Sequence, residues 1–152
     1  MVILKIIFKY SALLIFISLL NSLRAKDYNI EMYFTNEFKE ISFPNENKFF
    51  HVSGTGVWKD SLGDYGNLGC FGRIVSDKKI GSSLDIFCEG ENQEKDRFWI
   101  RLNRNSEDID TGIGHTTYLY GSGKYSKFVD LKCKYASKIF GVNAILTQKC
   151  KI

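Results

Sequence analysis

Few side chains in this 152-residue chain could exchange protons near neutral pH. Histidine is the residue whose ordinary pKa lies in that range, and the chain has two, His51 and His115. His115 lies in the segment GIGHTTY, where glycines would let a ligand approach the backbone and Tyr118 follows closely. We predict His115 and Tyr118 as ligand-binding residues. They are also the first candidates for an acid–base pair if the protein is an enzyme, which the sequence leaves open; a hydrogen-bonded strand histidine is the alternative.

The two tryptophans, Trp58 and Trp99, complete the predicted ligand-binding set, and no residue is assigned as catalytic. Around Trp99 the segment RFWIRLNR alternates, with Phe98, Ile100 and Leu102 on one face and the tryptophan and arginines on the other. The second face could bind an acidic or aromatic ligand through charge and cation–π contacts. Alternatively, it is an outer wall where the arginines pair with carboxylates.

No metal ion and no cofactor is predicted. The sequence indicates no third metal ligand that would complete a site with the two histidines. No two cysteines are as close in sequence as the roughly two to four residues that are typical of structural zinc sites. The loop that contains Asp60 and Asp64 lacks the closing glutamate and the spacing of an EF-hand calcium loop. We interpret it as a glycine-rich loop at the rim of the fold.

The four cysteines, Cys70, Cys88, Cys133 and Cys150, are predicted to form two disulfides. Four cysteines allow three connectivities, so hairpin register decides the preference. An antiparallel register that pairs Cys70 with Cys88 also sets Arg73 opposite Asp85 and an aromatic residue opposite an aromatic residue. We therefore prefer Cys70–Cys88.

The second bridge, Cys133–Cys150, follows from a hairpin that turns around Gly141. This register sets Lys134 opposite Lys149, and like charges in such positions destabilise unless they are well solvated. A bulge that shifts the register, or another partner for Cys133, remains open.

Residues 1–25 are predicted to be a signal peptide. Lys5 and Lys9 precede an apolar run of only about 11 residues, too short for the roughly 20 of a membrane span, and Ala25 suits a cleavage site. We predict a secreted or periplasmic protein with no stable membrane span after cleavage, an uncleaved anchor being the alternative. Cleavage also removes Arg24 and leaves 18 basic residues against 17 acidic ones. A near-neutral chain does not favour nucleic acid as a partner.

Beyond the leader, short alternating segments separated by Gly, Asn, Asp and Ser predict antiparallel strands. Residues 26–47 form an N-terminal arm or first strand, with a strand at 28–34, and residues 48–152 form a disulfide-stapled β domain. Further strands are predicted at 49–58, 70–75, 83–88, 97–103, 114–120, 131–139 and 144–150. We predict an all-β fold, a small antiparallel barrel of about seven or eight strands, with a two-sheet sandwich as the alternative.

Two short motifs carry resemblances to known barrels. The sequence Gly56-Val57-Trp58 resembles the G-x-W element of lipocalin-like (calycin) barrels, in which the tryptophan plugs the closed end. The stretch 120–125, YGSGKY, resembles a strand of allene oxide cyclase-like and dirigent-like barrels, although Lys127 and Asp130 stand where further glycines are expected. Both resemblances imply a β-barrel with an apolar cavity.

The sequence thus predicts an exported barrel whose function is noncatalytic binding of a small or apolar ligand in its interior. The alternatives are a cyclase or isomerase that uses the cavity and a structural or envelope interaction module that uses the outer surface. A cavity of at least about 300 Å³ would favour interior binding, whereas an interior filled by side chains would favour the surface. The ligand and the oligomeric state are not predicted.

Overall fold

A computed structural model describes residues 27–152, so the predicted signal peptide lies outside the described residues. Eight antiparallel strands form a closed barrel in which each strand pairs with the next and the last pairs with the first. The strands are β1 (Asp27–Ser42), β2 (Lys48–Asp60), β3 (Tyr65–Asp77), β4 (Gly81–Asn92), β5 (Arg97–Ser106), β6 (Thr111–Gly121), β7 (Lys132–Phe140) and β8 (Asn143–Lys151). A 3-10 helix, Gly123–Phe128, joins β6 to β7. The predicted all-β barrel is confirmed, with eight strands.

Buried and exposed residues alternate along the strands, so that one face of each strand lines the interior. The barrel closes tightly enough that Gly56 is needed on β2. A Cβ there would lie 2.1 Å from the carbonyl oxygen of Tyr33 on β1. Within residues 27–152, no helix is long and apolar enough to cross a membrane.

The barrel has a closed end and an open end. The closed end carries the β2–β3, β4–β5 and β6–β7 connections, and the 3-10 helix packs its buried Tyr125 and Phe128 into the interior there. Neighbouring ring centroids lie 4.9–6.2 Å apart, the range of favourable aromatic packing. We call this cluster the aromatic plug; its members are Tyr28, Trp58, Phe98, Tyr118, Tyr125 and Phe128.

Both predicted disulfides and both predicted registers are confirmed. Cys70 bonds to Cys88 across β3 and β4, and Cys133 bonds to Cys150 across β7 and β8. All four sulfurs point into the barrel, where the cysteines are only 3–4% exposed. Lys134 and Lys149 do face each other, on the exposed side of their strands, where water screens their repulsion.

Two segments differ from expectation. The first strand does not stop near residue 34 but continues to Ser42, because β2 pairs with it as far as Lys48. The segment 120–125 is not a strand throughout: β6 ends at Gly121, and the 3-10 helix begins at Gly123, whose φ of +49° lies in the left-handed region. The backbone therefore turns inward after the predicted strand 114–120, where the resemblance to a barrel strand implied extended chain, and this turn brings Tyr125 to the plug.

Candidate functional site

A cavity of about 50 Å³ lies inside the barrel at the open end. Its lining is mostly apolar, and Asn36, Phe38, Ser137, Ile139 and Ala144 on its rim are partly exposed, so the cavity opens to solvent. The buried lining residues are Phe34, Val52, Cys70, Ile74, Leu84, Ile86, Leu102, Tyr135 and Leu146. The cavity is much smaller than the roughly 300 Å³ of a pocket for a whole small molecule, because the aromatic plug fills the closed half.

One side of the interior is polar. Four buried side-chain atoms on the successive strands β5 to β8 have no hydrogen-bond partner among the described residues. They are Arg104 Nε, Thr116 Oγ1, Tyr135 Oη and Gln148 Oε1. Unpartnered buried polar atoms are uncommon in folded proteins and mark places where water or a ligand is bound. We call these four residues together with Ser137 the polar wall.

Arg104 is the buried cation of this wall, with 3% of its surface exposed. Its Nη1 donates to Ser137 Oγ at 2.9 Å, and its Nη2 donates to the carbonyl oxygen of Ile109. Burial lowers the pKa of Arg104 from its ordinary value, opposed by Tyr135, Asp108 and Asp110. An arginine still remains charged at neutral pH, so the barrel holds a positive charge beside its cavity.

Tyr135 contributes a polar side chain to the cavity lining. Its side chain is 2% exposed and lines the cavity, and its ring crosses over Gly114 on β6. A Cβ on Gly114 would lie 2.5 Å from the tyrosine oxygen, so only glycine leaves room for the ring. Burial raises the pKa of Tyr135 to about 12, with Arg104 acting in the opposite direction. The hydroxyl is therefore protonated at neutral pH and available to donate a hydrogen bond.

The structure does not bring His115 and Tyr118 together. His115 is exposed on the outer face of β6, opposite Asn103 and Lys134. Tyr118 is fully buried in the aromatic plug, where its hydroxyl accepts a hydrogen bond of 3.2 Å from Gln148 Nε2. The two side chains thus lie on opposite faces of the strand, and neither lines the cavity.

The tryptophans are also separated. Trp58 is 2% exposed in the aromatic plug, and its indole nitrogen donates to the carbonyl oxygen of Asn67 at 3.2 Å. Trp99 lies outside the barrel, where it faces Tyr120 across a bulge at Leu119. All four ligand-binding residues predicted from the sequence therefore lie away from the interior cavity.

Trp99 instead lines a groove of about 560 Å³ on the outer face of β3 to β6. Its other aromatic residues are Phe71, Phe87 and Tyr120. Gly69 also lines the groove, and the space above it is open, because a Cβ added there would have no neighbouring atom within 4 Å. We call it the outer groove.

The charged groups of the outer groove are already paired. Arg97 contacts Glu89 at 3.1 Å and Glu91 at 2.9 Å. None of the buried unpartnered atoms found within residues 27–152 belongs to this groove.

A second polar cluster fastens the closed end. Asp64, which is 5% exposed, accepts hydrogen bonds from Lys124 Nζ at 2.9 Å and from Gln93 Nε2 at 2.8 Å, and Tyr125 Oη donates to it at 3.3 Å. Burial raises the pKa of Asp64, but these hydrogen bonds and the charge of Lys124 outweigh it, so the net shift is downward. The cluster ties the 3-10 helix to the β2–β3 and β4–β5 connections.

Replacement of Asp64 should destabilise the closed end in a pH-dependent manner. We expect Asp64→Asn to lower the free energy of unfolding by about 1–3 kcal/mol at pH 7, because Lys124, Gln93 and Tyr125 lose a charged, buried acceptor. Since the folded pKa of Asp64 is lowered, its contribution is complete above the unfolded value near 4 and disappears as the pH falls through the folded pKa.

Urea titrations of the wild type and of Asp64→Asn at several pH values between 7 and 3 would measure this difference. Asp130→Asn, an exposed aspartate in the β6–β7 connection, is the matched control and should change stability little at any pH. A difference that stays constant down to pH 3 would contradict the assignment.

Within the described part of the chain, no group of three or more His, Cys, Asp or Glu side chains is arranged to hold a metal ion. Comparison with known proteins finds no match: no protein-family model, no curated protein and no solved structure is significantly similar to this chain. The functional interpretation therefore depends on the geometry of the barrel.

The polar residues that line the cavity or lie beside it were not predicted from the sequence. The signal was present, because Arg104 has the same parity as the core residues Phe98 and Leu102, and Tyr135 has the same parity as Cys133. Alternation alone would have placed both side chains inside.

Proposed function

We propose that this protein is an exported barrel that binds a small, mainly apolar ligand at its open end without catalysing a reaction. The observation that carries the proposal is the apolar cavity that opens to solvent beside Tyr135, a lining residue whose buried hydroxyl group lacks a partner within the described residues. Apolar pockets with a few convergent polar groups are the usual form of small-molecule sites.

The size of the cavity limits how much of the ligand is buried. A water-sized group needs roughly 10–15 Å³ of such a cavity, so about 50 Å³ accommodates roughly three to five such groups. The rest of the ligand would lie on the apolar mouth, where Phe38 and Phe50 pack edge to face with centroids 6.4 Å apart. The β1–β2 hairpin extends this surface, because β1 continues beyond Thr35, where its pairing with β8 ends.

Binding is favoured over catalysis because the polar groups beside the cavity do not exchange protons near neutral pH. Tyr135 has a pKa of about 12, and arginine remains protonated. The histidine that could serve as an acid or base is on the outer face of β6. The two disulfides indicate folding in an oxidising compartment, which supports the proposed secreted or periplasmic location.

The proposal is tested by filling the cavity. Ala144 lies on the cavity rim, and Ala144→Leu would add three carbon atoms to this space. We expect the wild type to bind hexan-1-ol with a dissociation constant on the order of 1 mM and hexanoate at least as tightly. Ala144→Leu should bind both probes at least about tenfold more weakly, because the substituted side chain occupies the ligand's position. Ligand-detected NMR would measure both affinities.

Two control variants make the result interpretable. Ala136 is on the same strand pair but faces outward, so Ala136→Leu should leave the affinity unchanged. Trp99→Ala alters the outer groove and should also leave it unchanged. If Trp99→Ala abolished binding while Ala144→Leu retained it, the ligand would bind at the outer groove, and the proposal would be overturned. The proposal would also be overturned if neither hexan-1-ol nor hexanoate bound and no small molecule copurified with the native protein.

A further inference from the structure

We propose that the ligand carries a carboxylate group, which enters the barrel first, accepts a hydrogen bond from the Tyr135 hydroxyl and is balanced by the buried charge of Arg104. This inference rests on the proposed binding function and names the chemical class of the ligand: a small monoanionic amphiphile with a carboxylate at one end and an apolar tail.

The hydrogen-bonding capacity of the polar wall points to a ligand that accepts hydrogen bonds. Of the four unpartnered atoms, the Tyr135 hydroxyl belongs to a residue of the cavity lining and can donate a hydrogen bond; outside the lining, Arg104 Nε carries a proton and the Thr116 hydroxyl can donate one. Only the fourth, Gln148 Oε1, is restricted to accepting. A carboxylate has two oxygens and accepts from several donors, whereas an alcohol accepts less and must also donate its own proton.

The charge of the polar wall points in the same direction. The two arginines of the described chain that have ion-pair partners lie on the outer face: Arg97, and Arg101, which contacts Asp85 at 2.7 Å. Arg104 is inside, and no carboxylate within residues 27–152 lies within 4.0 Å of its guanidinium group. Asp108 and Asp110 of the β5–β6 connection are the acids that influence it from a greater distance. An unpaired buried cation is costly unless an anion compensates it.

The positions of these groups set the orientation of the ligand. Tyr135 and Ser137 line the cavity, and Arg104 stands directly behind Ser137, to which it donates a hydrogen bond of 2.9 Å. The apolar lining and the aromatic residues Phe38 and Phe50 lie toward the mouth. A carboxylate at the polar wall therefore leaves the tail along the apolar lining, directed toward solvent.

Paired probes of equal chain length test the inference. We expect the wild type to bind hexanoate at least about tenfold more tightly than hexan-1-ol at pH 7, since hydrogen bonds and charge interactions with an ionised group exceed those with a neutral one. Arg104→Met should weaken hexanoate at least about tenfold and leave hexan-1-ol within about twofold, and Tyr135→Phe should weaken hexanoate by about three- to tenfold. Ligand-detected NMR titrations would provide all of these affinities.

The matched control is Arg73→Met, which removes the same charge from an exposed position on the outer face of β3 and should leave hexanoate binding unchanged. Equal affinity of the wild type for hexanoate and hexan-1-ol would overturn the carboxylate inference but leave the binding function intact. Binding of neither probe would overturn the binding function itself. If Arg104→Met fails to fold, the wild-type ratio and Tyr135→Phe still decide the outcome.

Discussion

Removal of both disulfides is expected to lower the free energy of unfolding by about 6 kcal/mol. The two bridges span 18 and 17 residues of chain, and closing loops of this length in the unfolded state is worth roughly 3 kcal/mol each. A domain of this size has a total stability of only about 5–15 kcal/mol. Each bridge joins neighbouring strands of one hairpin, so the two contributions should be nearly additive.

Denaturant titrations of Cys70→Ala/Cys88→Ala, of Cys133→Ala/Cys150→Ala and of the combined variant would measure each contribution. Alanine is the suitable replacement because the sulfurs face an apolar interior, where a serine hydroxyl would need a partner. A thiol reductant should reproduce the loss in the wild type and have no effect on the combined variant. A total loss below about 2 kcal/mol would show that the barrel is stabilised mainly by its packing.

The success of the disulfide prediction has a simple physical origin. In an antiparallel pair the sum of facing residue numbers is constant, so one correct pair determines a whole hairpin. Because Cys70 faces Cys88, Arg73 must face Asp85, and the structure shows this pair. The ion pair itself is formed elsewhere: Asp85 binds Arg101 of β5 through two hydrogen bonds. Register follows from local sequence, but the partner of a charged side chain also depends on the next strand.

The closure of the barrel could not be derived in the same way. The pairing of β1 with β8 joins residues more than 100 positions apart, for example Tyr28 with Cys150. Alternation shows which face of a strand is buried, but it does not show which distant strand forms hydrogen bonds with its edge. The inward turn of the 3-10 helix was missed for a related reason, since it depends on the contacts of Tyr125 with the plug.

The four residues predicted to bind a ligand do not lie in one place, because they were chosen by residue type more than by strand parity. His115 and Tyr118 are three positions apart on one strand, and an odd separation puts side chains on opposite faces. Parity would instead have selected Arg104, a charged residue at an inward position, where charged side chains are rare. In the choice of candidate site residues, a charged residue at a core position of a strand is therefore more informative than an aromatic residue or a histidine whose strand face has not been assigned.

The aromatic plug should be the other main source of stability, because it replaces the helix or second sheet that would otherwise cover the closed end. Trp58 is its largest buried side chain. Its ring centroid lies 5.1 Å from that of Phe98 and 6.2 Å from that of Tyr125, so it connects β2, β5 and the 3-10 helix. Because the neighbours of Trp58 are buried aromatic side chains, truncation of its ring would leave an apolar space that water does not fill at low cost.

We therefore expect Trp58→Ala to lower the free energy of unfolding by about 3–5 kcal/mol, through lost burial and the cavity that remains. Trp58→Phe should cost less, about 1–3 kcal/mol, because it retains a ring but leaves the carbonyl of Asn67 without the indole donor. Trp99→Ala removes the same side chain from the outer groove and should cost less than about 1 kcal/mol. Urea unfolding monitored by far-UV circular dichroism applies to all three variants, since it does not depend on tryptophan emission. Equal losses for Trp58→Ala and Trp99→Ala would show that the closed end does not depend on the plug.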